Sequence, residues 1–467
     1  MKRFFLLPAI CSVLTACQAA DAQKVIPPVQ SVSLETTTLY QELCASCHGA
    51  NLEGASAPNL SDDNWEYGGS DEDILRAINV GIEEAGMPSF QDALAPGQDR
   101  ELLALIRQGR SEEVSVPVTD VPSLMDKVNS ETWLGGLNQP WGITFTPDGG
   151  AFITEKSGDL IYYSNGQVNR ISNVPAVNDN GQGGLLDVAL DPNWPAENWL
   201  YLAFSHPKTP GAKEAMTKII RAKVVENALT NVQTVFEAKP EDYVNTRFHF
   251  GSRITFDAAG HLYFSIGDRG KKEQSQYITK PNGKIHRVNR DGTIPDDNPF
   301  IDNPEAYASI YSYGNRNPQG LVIHPDTDVL WQTEHGPKGG DELNVIKSGV
   351  NYGWPEISYG RNYSGTVLTP YTAKPGMAQP TSQWTPSIAV CGLDVYRGNM
   401  FPEWQGRLLA GALVYEQVRL ISVDGETYQE EAVILSDQGR VRDVTSGPDG
   451  AIYVALPDKI IRLTPAE

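Results

Sequence analysis

Cys44-Ala45-Ser46-Cys47-His48 places two thiols three residues apart with an imidazole directly after the second. Thiols at this spacing can form thioethers with the vinyl groups of a haem while the histidine ligates its iron from one side. The segment therefore predicts a covalently attached c-type haem. A structural disulfide or half of a zinc site is the competing use. With no other cysteine nearby in a chain that looks exported, both are disfavoured. His249 is a candidate base, but a lone histidine flanked by Phe248 and Phe250 reads more readily, by itself, as a satisfied core side chain. Arg440 and Arg442 fall on one side of a strand in Gly439-Arg-Val-Arg-Asp443, where by themselves they could be salt-bridged surface residues. Read alone, Asp341 could cap a turn in the Gly339-Gly340 loop, and Gly336-Pro337 is a plain turn.

These groups need scaffolds, and 467 residues predict two domains, one small and one large. A hydrophobic fraction of 40% with 43 Gly and 32 Pro fits a soluble, turn-rich protein, and a net charge of -21 argues against nucleic acid or anionic lipid as partner. Lys2 and Arg3 followed by the apolar run Phe4 to Leu14 predict an export signal too short to span a bilayer. Leu14-Thr15-Ala16-Cys17 resembles a lipobox, so residues 1–17 read as a signal peptide that leaves Cys17 lipid-modified; ordinary cleavage near Ala20 or Gln23 is the alternative. Residues 18–33, with Pro27-Pro28, read as a tether, and residues 111–131, with Pro117 and Pro122, as a linker. Of the five cysteines, Cys11 leaves with the signal and Cys17 is lipidated, so no even disulfide framework organises the fold.

Residues 34–110 predict a small all-α domain. Leu39, Tyr40 and Leu43 share a helical face before Cys44, and Leu102, Leu103 and Ile106 recur at helical spacing. With Ala57-Pro58-Asn59-Leu60 and Gly86-Met87-Pro88, residues 36 to 110 resemble the class I cytochromes c. The resemblance implies that the Pro58 carbonyl orients His48 and that Met87 is the sixth iron ligand. A gap-filling core methionine is the alternative. A thioether ligand raises the potential and fills the last iron position, which suits electron transfer rather than oxygen binding.

Residues 132–467 change to short runs of Ile, Val, Phe and Tyr separated by Asp-Gly and Pro-Asp turns. One phrase recurs at Trp141, Ser252 and Val444, with looser copies near Leu186, Gly320 and Gly392. Six copies of strand, turn and strand predict an all-β six-bladed propeller, with its longer loops around the mouth of the central channel.

The large domain resembles the soluble quinoprotein glucose and sorbosone dehydrogenases. The likeness rests on Asp179-Asn-Gly-Gln182-Gly-Gly, Arg247-Phe-His249-Phe-Gly-Ser-Arg253, Ile266-Gly-Asp-Arg-Gly270, Tyr313-Gly-Asn-Arg316-Asn317 and Glu334-His-Gly336-Pro337-Lys-Gly-Gly-Asp341. It implies pyrroloquinoline quinone and calcium as cofactors beside haem c. His249 becomes the catalytic base and Asp341 the carboxylate that orients it. Arg316 and Asn317 aim at the quinone oxygens, Gln182, Arg440 and Arg442 are further quinone contacts, and the carbonyls of Gly336 and Pro337 hold calcium. One departure stands out: in Gly411-Ala-Leu-Val414, valine replaces a lysine that part of the family aims at the cofactor, and Arg419 or Lys338 could compensate. Cys391 falls near the expected channel, where a buried small residue is the ordinary reading.

The expected function is that of an exported, periplasmic, lipid-anchored dehydrogenase. It oxidises an aldose at its C1 hydroxyl and passes electrons through its own haem to a periplasmic or membrane acceptor. A non-catalytic binding propeller with a haem docking or sensing domain is the alternative. A lactonase-type hydrolase ranks last, because the motifs contain no carboxylate cluster for its calcium.

Overall fold

The computed structural model describes residues 34–49, 52, 54, 57–60, 65–108, 121–363 and 366–466. The expected signal peptide, lipobox and tether lie outside these residues. Among the described residues, four α-helices build the small domain: α1 (Leu34–Leu43), α2 (Ala45–His48), α3 (Asp71–Val80) and α4 (Gln98–Gln108). Ser70 caps α3 by accepting from the Asp73 N–H at 3.1 Å, while Asp73 accepts from the Ser70 N–H at 3.3 Å, and the acidic first turn suits the helix dipole. Tyr40, Leu43, Ile74, Ile78, Leu102 and Ile106 are buried together, so the apolar stripes of α1, α3 and α4 meet in one core.

The large domain is a ring of six antiparallel four-stranded sheets. The innermost strands are Pro140–Phe145, Leu185–Leu190, Ile254–Phe256, Pro318–Ile323, Val390–Val395 and Asp443–Ser446, at the six repeats seen in the sequence. The repeated phrase folds identically in its three clear copies. Thr146, Asp257 and Gly447 each donate a backbone N–H to the carbonyl four residues on, at 2.7, 3.1 and 2.8 Å, closing a tight hairpin. Gly149, Gly260 and Gly450 sit at φ +89°, +87° and +88° in those turns, a conformation that favours glycine.

The ring closes through Val128–Gly135, which pairs antiparallel with Lys459–Pro465 and completes the last blade. This moves the expected boundary at 132. The propeller begins inside the stretch read as linker, and Pro122 and Leu124 are also hydrogen-bonded to Val433. Asn129, Ser130 and Glu131 are exposed, so this edge strand is held by backbone pairing and shows no apolar alternation in sequence.

Neighbouring blades are joined by inner-strand carboxylates that accept amide N–H groups of the next blade: Asp187 from Ile254 at 2.8 Å, Asp394 from Ser446 at 2.8 Å, Asp443 from Ile143 at 3.2 Å. The buried Arg253 bridges Asp187 at 3.2 Å and Asp443 at 3.1 Å and donates to the Gln319 and Arg442 carbonyls, so one guanidinium ties blades across the channel floor. Arg253→Met leaves two carboxylates buried without their cation. It should lower propeller stability by about 3–5 kcal/mol, measured by denaturant unfolding; an unchanged midpoint would mean that the bridge is dispensable.

Candidate active site at the domain junction

His249 sits on the loop entering the third blade with φ +54°, a strained conformation for a non-glycine residue. Its backbone N–H donates to Gln182 Oε1 at 2.7 Å, and its ring Nδ1 lies 2.6 Å from Asp268 Oδ1. Asp268 is anchored in turn: Oδ1 also accepts from the Gly270 N–H at 2.7 Å, and Oδ2 from the Trp354 indole at 2.8 Å. With Nδ1 committed to a carboxylate, the free ring nitrogen is Nε2. Burial pushes His249 below the ordinary histidine range and Arg316 adds to this, while Asp268 pulls the other way. Burial alone would raise Asp268, but the imidazole and Arg316 outweigh it and hold the carboxyl below the usual range.

Asp341 does not orient His249. Its oxygens are taken by the Gly336 N–H at 2.9 Å, the Ser387 hydroxyl at 2.6 Å and the Val390 N–H at 3.0 Å, and burial pushes it up to about 6. It folds the 336–341 loop back on itself and ties it to the next blade. Asp268 follows the strand of His249's own blade, His261–Ile266, and so reaches the imidazole. Arg269, also at positive φ, is buried with its guanidinium 3.3 Å from the Phe250 ring centre and donates to the Phe248, Thr246 and Ala215 carbonyls, fastening the loop that carries His249.

The remaining expected residues converge on the same mouth. Trp141, Gln182, His249, Arg316, Asn317, Gly336, Arg440 and Arg442 line one cavity, which shares a wall with a neighbouring cavity of about 300 Å³. Arg316 donates to the His335 carbonyl at 3.1 Å and Arg442 to the Cys391 sulfur at 3.5 Å; among the described residues neither is paired with a carboxylate. Arg442 lies over the Trp141 ring at 3.9 Å, and among the described residues Nε of Arg316 and Nε2 of His335 have no hydrogen-bond partner. Unneutralised guanidiniums around a buried cleft suit a planar polycarboxylate. Asn317 Oδ1 accepts from Gln319 at 3.1 Å and from the Gly251 N–H at 3.3 Å. The Gly336 and Pro337 carbonyls are buried and accept no hydrogen bond among the described residues, a donor set that fits an oxygen-seeking cation. Val414 is buried; Arg419 pairs with Glu431 at 2.9 Å and Lys338 with Glu42 at 3.5 Å, and neither lines the cavity that holds His249. Cys391 is fully buried under Arg442.

In the small domain, His48 Nδ1 lies 2.9 Å from the Pro58 carbonyl, which leaves Nε2 for a metal, and burial keeps the ring toward its neutral, ligating form. Cys44 and Cys47 are free thiols; burial, with Cys47 beside it, pushes Cys44 up to about 12. Met87 packs half-buried against the same core as Cys44, its backbone paired with Ile82. A neutral histidine with one free nitrogen, two unbridged thiols and a thioether on the same small core fit a covalently held haem.

Asp268, Trp354, Arg269 and His335 were not singled out from sequence. Asp268 and Arg269 lie in the Ile266–Gly270 phrase, but spacing does not reveal which carboxylate of the ring faces His249.

Fold and site define a propeller oxidoreductase with a cytochrome c domain. Residues 137–463 match the glucose/sorbosone dehydrogenase family and residues 34–106 the cytochrome c oxidase, cbb3-type, subunit III family. The chain belongs to the glucose/sorbosone dehydrogenase family. It is 38% identical over 347 residues to the aldose sugar dehydrogenase YliI of Escherichia coli, covering 72% of this chain and 93% of that protein. The apo structure of the soluble E. coli aldose sugar dehydrogenase superposes with a TM-score of 0.69 at 37% identity, over 73% of this chain and 100% of the other. The PQQ-bound aldose sugar dehydrogenase of Streptomyces coelicolor gives 0.60 at 27% identity, over 73% and 99%. The small domain is similar to the FixP subunit of Sinorhizobium medicae, 31% identical over 90 residues, 17% of this chain and 31% of that one.

Proposed function

We propose that the chain oxidises the C1 hydroxyl of an aldose in the propeller mouth and passes the electrons through its own haem. The supporting observation is the Asp268–His249 pair, 2.6 Å apart, in a cavity ringed by arginines and lined on its other side by Cys47. His249 Nε2 takes the C1 hydroxyl proton as the C1–H bond breaks, and the sugar becomes a lactone, having lost one proton and one hydride. Pyrroloquinoline quinone, when bound, supplies the two-electron hydride acceptor. Arg316, Asn317, Gln182, Arg440 and Arg442, which line this cavity, would hold it, and the Gly336 and Pro337 carbonyls would hold calcium. Haem c, on Cys44, Cys47, His48 and Met87, supplies the one-electron exit. The signal-like sequence of residues 1–17 supports export with a lipid anchor at Cys17 and a periplasmic or membrane acceptor downstream.

Titration of the holo-cytochrome with quinone and calcium, then a screen of aldoses, pentoses, oligosaccharides and polyols with a soluble dye acceptor, tests this. Stoichiometric binding with turnover on an aldose is expected. Tight binding with no response to any sugar would identify a sensor. Met87→Ala should lower the haem potential and open the iron to added imidazole, read by redox titration and absorbance. Unchanged values would remove Met87 from the ligand set.

A further inference from the structure

The two domains touch where both chemistries converge. Arg440 donates to the Ala45 and Ser46 carbonyls at 3.1 and 3.4 Å, inside the segment that carries Cys44, Cys47 and His48. Lys338, next to Pro337, pairs with Glu42 of α1 at 3.5 Å. Gly86, immediately before Met87, lies against Phe248, immediately before His249; a side chain on Gly86 would come within 2.0 Å of the ring tip. Tyr363, from the long loop over the channel, packs on the cytochrome core. Ser46 and Cys47 thereby share a cavity with His249 and Arg316.

We propose that Arg440, Lys338, Phe248 and Tyr363 form a docking seat for the cytochrome domain of the same chain, which holds the haem-bearing segment over the active-site cavity during electron exit. This rests on the function proposed above. Within it Arg440 is a positioning residue, one guanidinium shared between the cavity wall and the carbonyls of the haem segment. Among the described residues, the contacts named above are polar or made by single rings, as suits an interface that separates and re-forms. The Glu42–Lys338 pair is its charged register, since reversing one partner sets like charges against each other.

Glu42 lies outside the catalytic groups, so Glu42→Lys separates docking from chemistry. In the holoenzyme, E42K should slow sugar-driven haem reduction about fivefold or more while dye-linked sugar oxidation stays at the wild-type rate. The E42K/K338E double variant, normalised to its own dye-linked rate, should recover to within about twofold. Amide exchange in residues 41–48 should rise in E42K and fall back in the double variant. Wild-type haem-reduction rate and exchange in E42K would overturn the seat. Absence of sugar-driven haem reduction in the wild type would instead overturn the function proposed above, with the exchange experiment still deciding the seat.

Discussion

Replacing His249 with alanine should abolish sugar-dependent reduction of both the haem and a soluble dye, with the haem spectrum unchanged. A positioned general base contributes about 10²–10⁴-fold, and no other group among the described residues combines a carboxylate-held ring nitrogen with a place in this cavity. His335 also lines it, but burial holds that ring well below the histidine range and Arg316 adds to the effect. The haem site lies in the other domain and depends on His48 and Pro58, so its absorbance reports folding independently. Turnover by His249→Ala within tenfold of wild type would move the base elsewhere.

Asp268→Asn should be nearly as damaging, lowering kcat by about 10³–10⁴-fold. The amide can no longer fix Nδ1 as the protonated nitrogen, so Nε2 carries the proton in part of the population and cannot accept another. The pH profile separates this from a structural effect. Burial and Arg316 depress His249 while Asp268 raises it, so the wild-type acid limb of kcat/KM should lie below 6.5 and that of Asp268→Asn lower still. Asp341→Asn should leave that limb in place, because Asp341 binds Gly336, Ser387 and Val390 rather than the imidazole. An acid limb that moves with Asp341 and not with Asp268 would reverse the two roles.

Much of this architecture was legible because local chemistry demanded it. The Cys44–His48 spacing has few uses, and the Pro58 carbonyl meets the His48 ring as the resemblance implied. Three of the six blades were readable because their hairpins need the same turn, with glycine at positive φ at 149, 260 and 450. The closing strand at Val128–Gly135 was not, since most of its side chains face solvent and only backbone pairing with Lys459–Pro465 defines it. Nor was the orienting carboxylate: Asp268 and Asp341 both stand beside glycines in neighbouring blades, and only ring closure decides which one meets His249. The domain seam leaves no periodic trace, because single residues such as Glu42, Gly86 and Arg440 make it.

In the function proposed above, one chain carries electrons from sugar to haem. Protein reconstituted with quinone and calcium should be mixed anaerobically with an aldose, with no other acceptor present, and followed at the haem bands. Sugar-dependent reduction of the haem is expected at a rate independent of protein concentration, as an intramolecular transfer requires. Sugar oxidation with a dye while the haem stays oxidised in its absence, or a rate that rises in proportion to protein concentration, would contradict it.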